Sequence, residues 1–262
     1  MTAIEIPQWQ GSSSPRARLL ADGAARLAAL VPTGLRVPVA GHAGGEAAGV
    51  RALDVLRANL EAARAVLDDD SPTIVVGGDC GVELAPVERA AEIHGDRLTV
   101  VWFDAHGDLN SPASSPSRAF HGMVLRALLG EGPPGLSPRR AIRPDQVVLA
   151  GARALDPAEH EFVAAHGIRH VPAAELTGLA ESVRTPAVYV HIDLDVLDPA
   201  EFGSVGFPEP GGVTPDALLA AVRGLAARST VAGLGITEYQ PADPRDEETL
   251  ASLVPALVDA VR

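Results

Sequence analysis

Eight short apolar runs alternate with stretches of helical periodicity along the 262 residues, and this alternation is the strongest constraint on the fold. Candidate strands lie near 3–7, 35–39, 73–76, 98–103, 146–150, 168–171, 187–192 and 230–236. Between them, Leu53, Leu56, Leu60, Ala63 and Leu67 keep the three-four spacing of one helix face. The last segment repeats the pattern with Leu250, Val254, Leu257 and Val261, after Asp243-Pro244, an N-cap followed by proline at the first helical position. Continuous apolar runs such as Leu98–Phe103 suit strands buried on both faces. The expectation is an α/β fold with a mainly parallel sheet covered by helices on both sides. No linker or composition shift divides the chain, so 1–262 reads as a single domain.

Three of these strands end in residues that bind cations. Leu98–Phe103 runs into Asp104, His106 and Asp108; Ala187–Ile192 into Asp193 and Asp195; Thr73–Val76 into Gly77-Gly78-Asp79-Cys80. Chemistry in open α/β sheets sits beyond the carboxyl ends of the strands. Asp-x-His-x-Asp suits a hard, oxygen-preferring cation with one imidazole, such as manganese. Taken alone, the triplet is hardly distinguishable from an N-cap aspartate beside a surface histidine. Asp193 and Asp195 share a face if the strand continues through them, and a bound cation would compensate their repulsion. Asp198-Pro199 reads as a loop end.

Composition narrows the function classes. The 47% hydrophobic content with 3% aromatics points to a core of Ala, Val and Leu. No apolar run approaches the roughly 20 residues of a membrane span, and the first residues lack a signal peptide's basic start and apolar stretch. A single cysteine excludes an intrachain disulfide framework, and a cytoplasmic location is expected. A formal charge of −13 opposes nucleic-acid binding and favours cationic partners, although much of it serves solubility alone.

Gly-Gly-Asp-Cys80, Asp104-Ala-His-Gly-Asp108, His191-Ile-Asp-Leu-Asp-Val-Leu-Asp-Pro199 and Thr237-Glu238-Tyr-Gln-Pro241 resemble, in order, the motifs of the ureohydrolases. This is the arginase and agmatinase family of dinuclear manganese hydrolases. The resemblance implies a three-layer α/β/α fold around an eight-stranded sheet, trimeric or hexameric assembly, and a place in arginine metabolism. It also implies that a guanidino compound is cleaved to urea, or a urea derivative, and an amine. Guanidinium carbon is a poor electrophile, and two divalent ions about 3.5–4 Å apart lower the pKa of a bridging water toward 7. By this resemblance Asp104 and Asp193 bridge both ions, Cys80 and Asp108 complete the first site, and His106 and Asp195 complete the second. Glu238 pairs with the substrate guanidinium and His121 shuttles protons; with Asp108 they form the implied catalytic set.

Cys80 stands where the family has histidine. As a thiolate it favours zinc, iron or cobalt over manganese; as a buried neutral thiol it leaves the first ion weak or absent; a separate nucleophilic role is the third reading. A branch acting on N-hydroxyarginine is similar in tolerating cysteine there. In the loop after Asp108, Asn110, Ser115 and Ser117 fall where arginases hold the amino-acid carboxylate, while Asp156 and Glu159 fall where acids meet the α-amino group. An α-amino acid is therefore favoured over agmatine. Ala154 and Phe207 depart from the pattern, Phe207 replacing a threonine beside the guanidinium. His42, His94, His160, His166 and His170 find no partner by sequence, and His191 is at most a supporting residue near Asp193. Two rivals stand beside this reading: a single-metal amide or amidine hydrolase of the same fold, and a non-catalytic protein binding metal or amino acid.

Overall fold

In a computed structural model that describes residues 1–32, 34–67 and 71–262, the eight apolar runs form one sheet. The chain runs β1 (Thr2–Ile6), α1 (Leu19–Ala28), β2 (Leu35–Arg36), α2 (Leu53–Val66), β3 (Thr73–Gly77), α3 (Leu84–His94) and β4 (Leu98–Phe103). It continues through the short α4 (Val124–Arg126), β5 (Val147–Ala150), α5 (Pro157–His166), β6 (Arg169–Val171), the short α6 (Leu179–Ser182), β7 (Ala187–Asp193), α7 (Pro215–Ala226), β8 (Thr230–Thr237) and α8 (Pro244–Val261). The strand order is β2-β1-β3-β8-β7-β4-β5-β6, and every pairing is parallel.

Alternation along each strand divides the core in two. Val100, Trp102 and Tyr189 join residues of α2 and α3 on one face, while Val101, Phe103, Val190 and Ile192 join residues of α7 and α8 on the other. The result is three layers, helix–sheet–helix, as the resemblance implies. Asp243 caps α8 by accepting from Arg245 N at 2.9 Å, with Pro244 at its start. No described helix is long and apolar enough to cross a membrane.

Most strand bounds shift by a residue from the sequence reading, and two of the differences have a clear local cause. The second strand is two residues, not five. Val37 N still donates to Glu5 O at 2.9 Å, but Pro38 offers no N–H to continue the ladder. β7 ends at Asp193, so Asp195 does not share a strand face with it. A 3₁₀ turn, Leu194–Val196, follows instead. Asp193 Oδ1 accepts from Asp195 N at 2.8 Å, and the turn swings the second carboxylate back toward the first.

Candidate metal centre

The adjacent central strands β3, β8, β7 and β4 deliver their acidic tips to one point above the sheet. Phe103 pairs with Ile192 and Asp193 with Thr237, so Asp104, Asp193 and Glu238 leave neighbouring strands at one level. Ligand atoms of Asp104, His106 and Asp195 lie within 4.8 Å of one another; so do those of Cys80, Asp193 and Glu238, and those of Cys80, Asp104 and His191. Asp108 stands outside these three groups, with Oδ2 buried and without a hydrogen-bond partner. Asp108 and Glu238 have positive φ, 52° and 65°; L residues held so are strained, and such strain concentrates at functional sites.

Hydrogen bonds fix the first group in place. His106 Nδ1 lies 3.0 Å from Asp195 Oδ2 and 3.5 Å from Asp104 Oδ1. Asp195 Oδ1 accepts from Ala105 N at 3.0 Å, and Asp104 Oδ2 accepts from Trp102 Nε1 at 3.1 Å. In the second group, Cys80 Sγ donates to Asp193 Oδ2 at 3.1 Å and Cys80 N donates to Glu238 Oε1 at 3.2 Å.

Burial, followed by the charges of neighbouring acids, pushes the carboxyls of Asp108 and Asp193 well above their ordinary value and raises Asp195 to about 6. Burial opposes a charged His106, yet its hydrogen bonds to Asp104 and Asp195 prevail and raise it to about 12. Burial, with the Asp193 charge beside it, also lifts the Cys80 thiol. Crowded, buried like charges of this kind favour either protons or a bound cation among them. The donor set fits divalent ions: carboxylates and one imidazole around His106, and a thiol among carboxylates around Cys80.

The cavity above this floor is about 220 Å³. His106, Asp108, Asn110, Ser115, Ser117, His121, Asp156, Glu159, Asp193, Asp195 and Glu238 all line it, as do Ala154 and Phe207. Cys80 and Asp104 lie beneath. His121 Nδ1 sits 3.4 Å from Glu238 Oε1; burial opposes its charge, but the hydrogen bond and charge of Glu238 raise its pKa. Glu238 Oε2 is buried and makes no hydrogen bond. Asn110 Nδ2 donates to Asp156 Oδ2 at 2.8 Å, and Ser115 Oγ lies 3.4 Å from Ser117 Oγ. The Phe207 ring stands 5.4 Å from that of His121 and 6.3 Å from that of His106, closing one wall.

Three contributors were not found by sequence. Ser13 lines the cavity, its Oγ 3.3 Å from His121 Nε2; in the run Gly11-Ser12-Ser13-Ser14 nothing marks it. Arg153 donates to the carbonyls of Asp195 (2.8 Å), Val196 (3.3 Å) and Glu209 (2.8 Å), pinning the segment that carries Phe207. Glu83 is fully buried with His191 beneath the centre. His191, which the sequence offers as a supporting residue near Asp193, stands two residues before it on the same face of β7. His166 and His170 bond to backbone carbonyls away from the centre, and Asp198 organises its own loop through Ala200 N, Gly211 N and Gly212 N.

Comparison with known proteins gives one answer. The model of the arginase family matches residues 23–261. The N(omega)-hydroxy-L-arginine amidinohydrolase of Streptomyces lavendulae is 31% identical, over 98% of this chain and 96% of the relative. The arginase of Bacillus caldovelox is 35% identical over 72% of this chain and 67% of its own length. Its solved native structure superposes with a TM-score of 0.85 at 27% identity, covering 99% of this chain and 97% of that one. The proclavaminate amidino hydrolase of Streptomyces clavuligerus gives 0.71 at 25% identity, covering 99% and 89%. With its strand tips, acid cluster and order of motifs alike, the chain belongs to the arginase family.

Proposed function

We propose that this enzyme hydrolyses the terminal guanidino group of arginine or N-hydroxyarginine, releasing urea or hydroxyurea and the amino-acid amine. The observation that carries the reading is the split environment of Glu238. Its Oε1 is held by Cys80 N and His121, whereas Oε2 is buried, unpartnered and at the cavity wall. A buried carboxylate oxygen without a donor costs about 1–3 kcal/mol or more, and a guanidinium N–H supplies the missing donor in a charge-assisted bond.

The enzyme is an amidinohydrolase, and its residues divide the work. Asp104, Asp193, His106 and Asp195, with Asp108 and Cys80, would hold divalent cations, manganese first among them at the His106 side. Bound there, the cations supply a water acidified toward neutrality. Glu238 orients the guanidinium carbon over the acid floor. His121, its pKa raised against burial by Glu238 and its ring in contact with Ser13, gives a proton to the leaving nitrogen so that it departs as a neutral amine. Ser115 and Ser117 offer neutral hydroxyls to the substrate carboxylate, with Asn110 oriented beside them by Asp156. Asp156 and Glu159 make that end of the cavity acidic for an α-ammonium. Phe207 gives the wall beside His121 an apolar character. The reading includes the family's trimeric or hexameric assembly, a cytoplasmic location, and action as one domain.

The test is product analysis with manganese-loaded protein. Urea or hydroxyurea should appear with arginine or N-hydroxyarginine respectively, and agmatine, lacking the carboxylate, should be a poor substrate. Failure to release either product from either amino acid would overturn the reading.

A further inference from the structure

Beneath the acid floor lies a second layer of polar side chains that the proposed reaction does not use. His191 is two residues before Asp193 on the same face of β7 and is fully buried. Its ring is stacked on Trp102 with centroids 3.6 Å apart and planes 25° apart, which fixes its orientation. Nε2 points at Cys80 Sγ, 3.7 Å away. Nδ1 makes no hydrogen bond and has Glu83 Oε2 at 3.5 Å. Both oxygens of Glu83 are buried without a hydrogen-bond partner. The carboxylate has room only because residue 235 is glycine, where a Cβ would collide with it.

His191 and Glu83 are thus buried and under-satisfied in line with the Cys80 thiol, an arrangement that is costly without a compensating charge. We propose that Cys80 and His191 form a thiolate–imidazole metal site, completed by Asp104 and Asp193 and buttressed by Glu83, that takes zinc or cobalt(II) in preference to manganese. The spacing is that of a chelating pair. A metal–sulfur bond of about 2.3 Å and a metal–nitrogen bond of about 2.0–2.1 Å at a tetrahedral angle separate the two donors by roughly 3.6 Å. Cys80, His191 and Asp104 already present donor atoms within 4.8 Å of one another, and Cys80 Sγ touches Asp193 Oδ2. On binding, the thiol proton now donated to Asp193 leaves to solvent and the sulfur–metal bond replaces the S–H bond. Glu83 then accepts from Nδ1–H of the ligating ring, the carboxylate–imidazole–metal arrangement that fixes the tautomer. A soft thiolate disfavours manganese, whereas the His106 group, with carboxylates and one imidazole, retains it. The cysteine at position 80 is then not a lost ligand: with the adjacent histidine on β7 it makes a different one.

The inference shares with the proposed function the premise that cations occupy this cluster, and its test does not read catalysis. Metal-stripped full-length protein is titrated with cobalt(II) alone and followed by optical spectroscopy and elemental analysis. Two equivalents should bind, with a thiolate-to-cobalt charge-transfer band. Cys80→Ser should abolish the band and one equivalent; His191→Gln should weaken that equivalent by about 100-fold, and Glu83→Gln by about 10–100-fold. X-ray absorption of the wild-type zinc form keeps the test decisive if a variant fails to fold. Two zinc ions should share one sulfur and two imidazoles, an average of one imidazole per metal. Absence of the sulfur, or an average of half an imidazole, overturns the site. Guanidino hydrolysis without any sulfur-bound metal would overturn it while leaving the hydrolase reading intact, and a sulfur-bound metal without hydrolysis would do the reverse.

Discussion

Glu159 Oε1 accepts a hydrogen bond from the backbone N–H of Leu109 at 2.8 Å, joining positions 50 residues apart. Its Oε2 accepts from Asp156 N, also at 2.8 Å. One buried carboxylate therefore ties the start of α5 to the loop that carries Asp108 and Asn110. In Glu159→Ala the Leu109 amide stays buried without an acceptor, which costs about 1–3 kcal/mol. Denaturant unfolding should show that loss, and KM should rise because the loop holding Asn110, Ser115 and Ser117 loses its anchor. An unchanged unfolding midpoint would remove Glu159 from this structural role.

Glu238 and His121 should separate kinetically. Glu238→Gln removes the charge that meets the guanidinium while leaving an oxygen for Cys80 N. Losing one partner of a buried charge pair costs about 2–5 kcal/mol, so kcat/KM should fall by roughly 30- to 4000-fold. His121→Asn takes away the proton donor and should lower kcat by about 10²–10⁴ with KM and metal content little changed. A His121→Asn enzyme with wild-type kcat would show that another group protonates the leaving nitrogen.

The sheet was legible because a buried parallel strand must be apolar throughout, and runs such as Leu98–Phe103 and Ala187–Ile192 need no tertiary information to be recognised. The acids at the strand tips were legible for the same reason: Asp104 and Asp193 follow those runs at once. Local geometry was less so. Asp195 reaches the centre through a turn that depends on its own amide bonding Asp193, and Pro38 cuts β2 at its second residue. Contacts made only by folding were illegible. Ser13 meets His121 across 108 residues, Arg153 threads carbonyls from a distant loop, and Glu83 lodges beside His191 because Gly235 leaves a gap.

Metal removal should destabilise the fold. Asp104, Asp108, Asp193 and Asp195 are all buried, and without a cation their charges must be offset by protons and by His106. A ligand that binds only the folded state stabilises it by about 2.7 kcal/mol at a concentration of 100 times its Kd. For a chain of this size that is roughly 5–10 °C in Tm. Calorimetry with and without chelator should show the difference, and it should shrink in Asp104→Asn, where the acid central to the cluster is neutral. Identical melting of loaded and stripped protein would mean that the cluster is balanced without metal.

The segment that carries Phe207 is held by a carboxylate whose grip depends on pH. Asp198 accepts from Ala200 N at 2.9 Å, Gly211 N at 2.8 Å and Gly212 N at 3.1 Å, closing the loop from both ends. These bonds, first those to Ala200 and Gly211, hold its carboxyl below the ordinary value of 3.8. A depressed pKa in the folded state means that the contribution is complete above the unfolded value and is lost as pH falls through the folded one. The loop is therefore indifferent to pH near neutrality and loosens only in acid, below about 3.8. Amide hydrogen exchange at Gly211 and Gly212, corrected for the intrinsic rate, should be slow from pH 5 to 7 on the ordinary scale of carboxylate titration and accelerate below that threshold. Asp198→Ala should show the fast rates already at neutral pH, together with a changed preference between arginine and N-hydroxyarginine as the Phe207 wall loses its support. Protection that is equal in wild type and variant at neutral pH would show that Arg153 alone holds the segment.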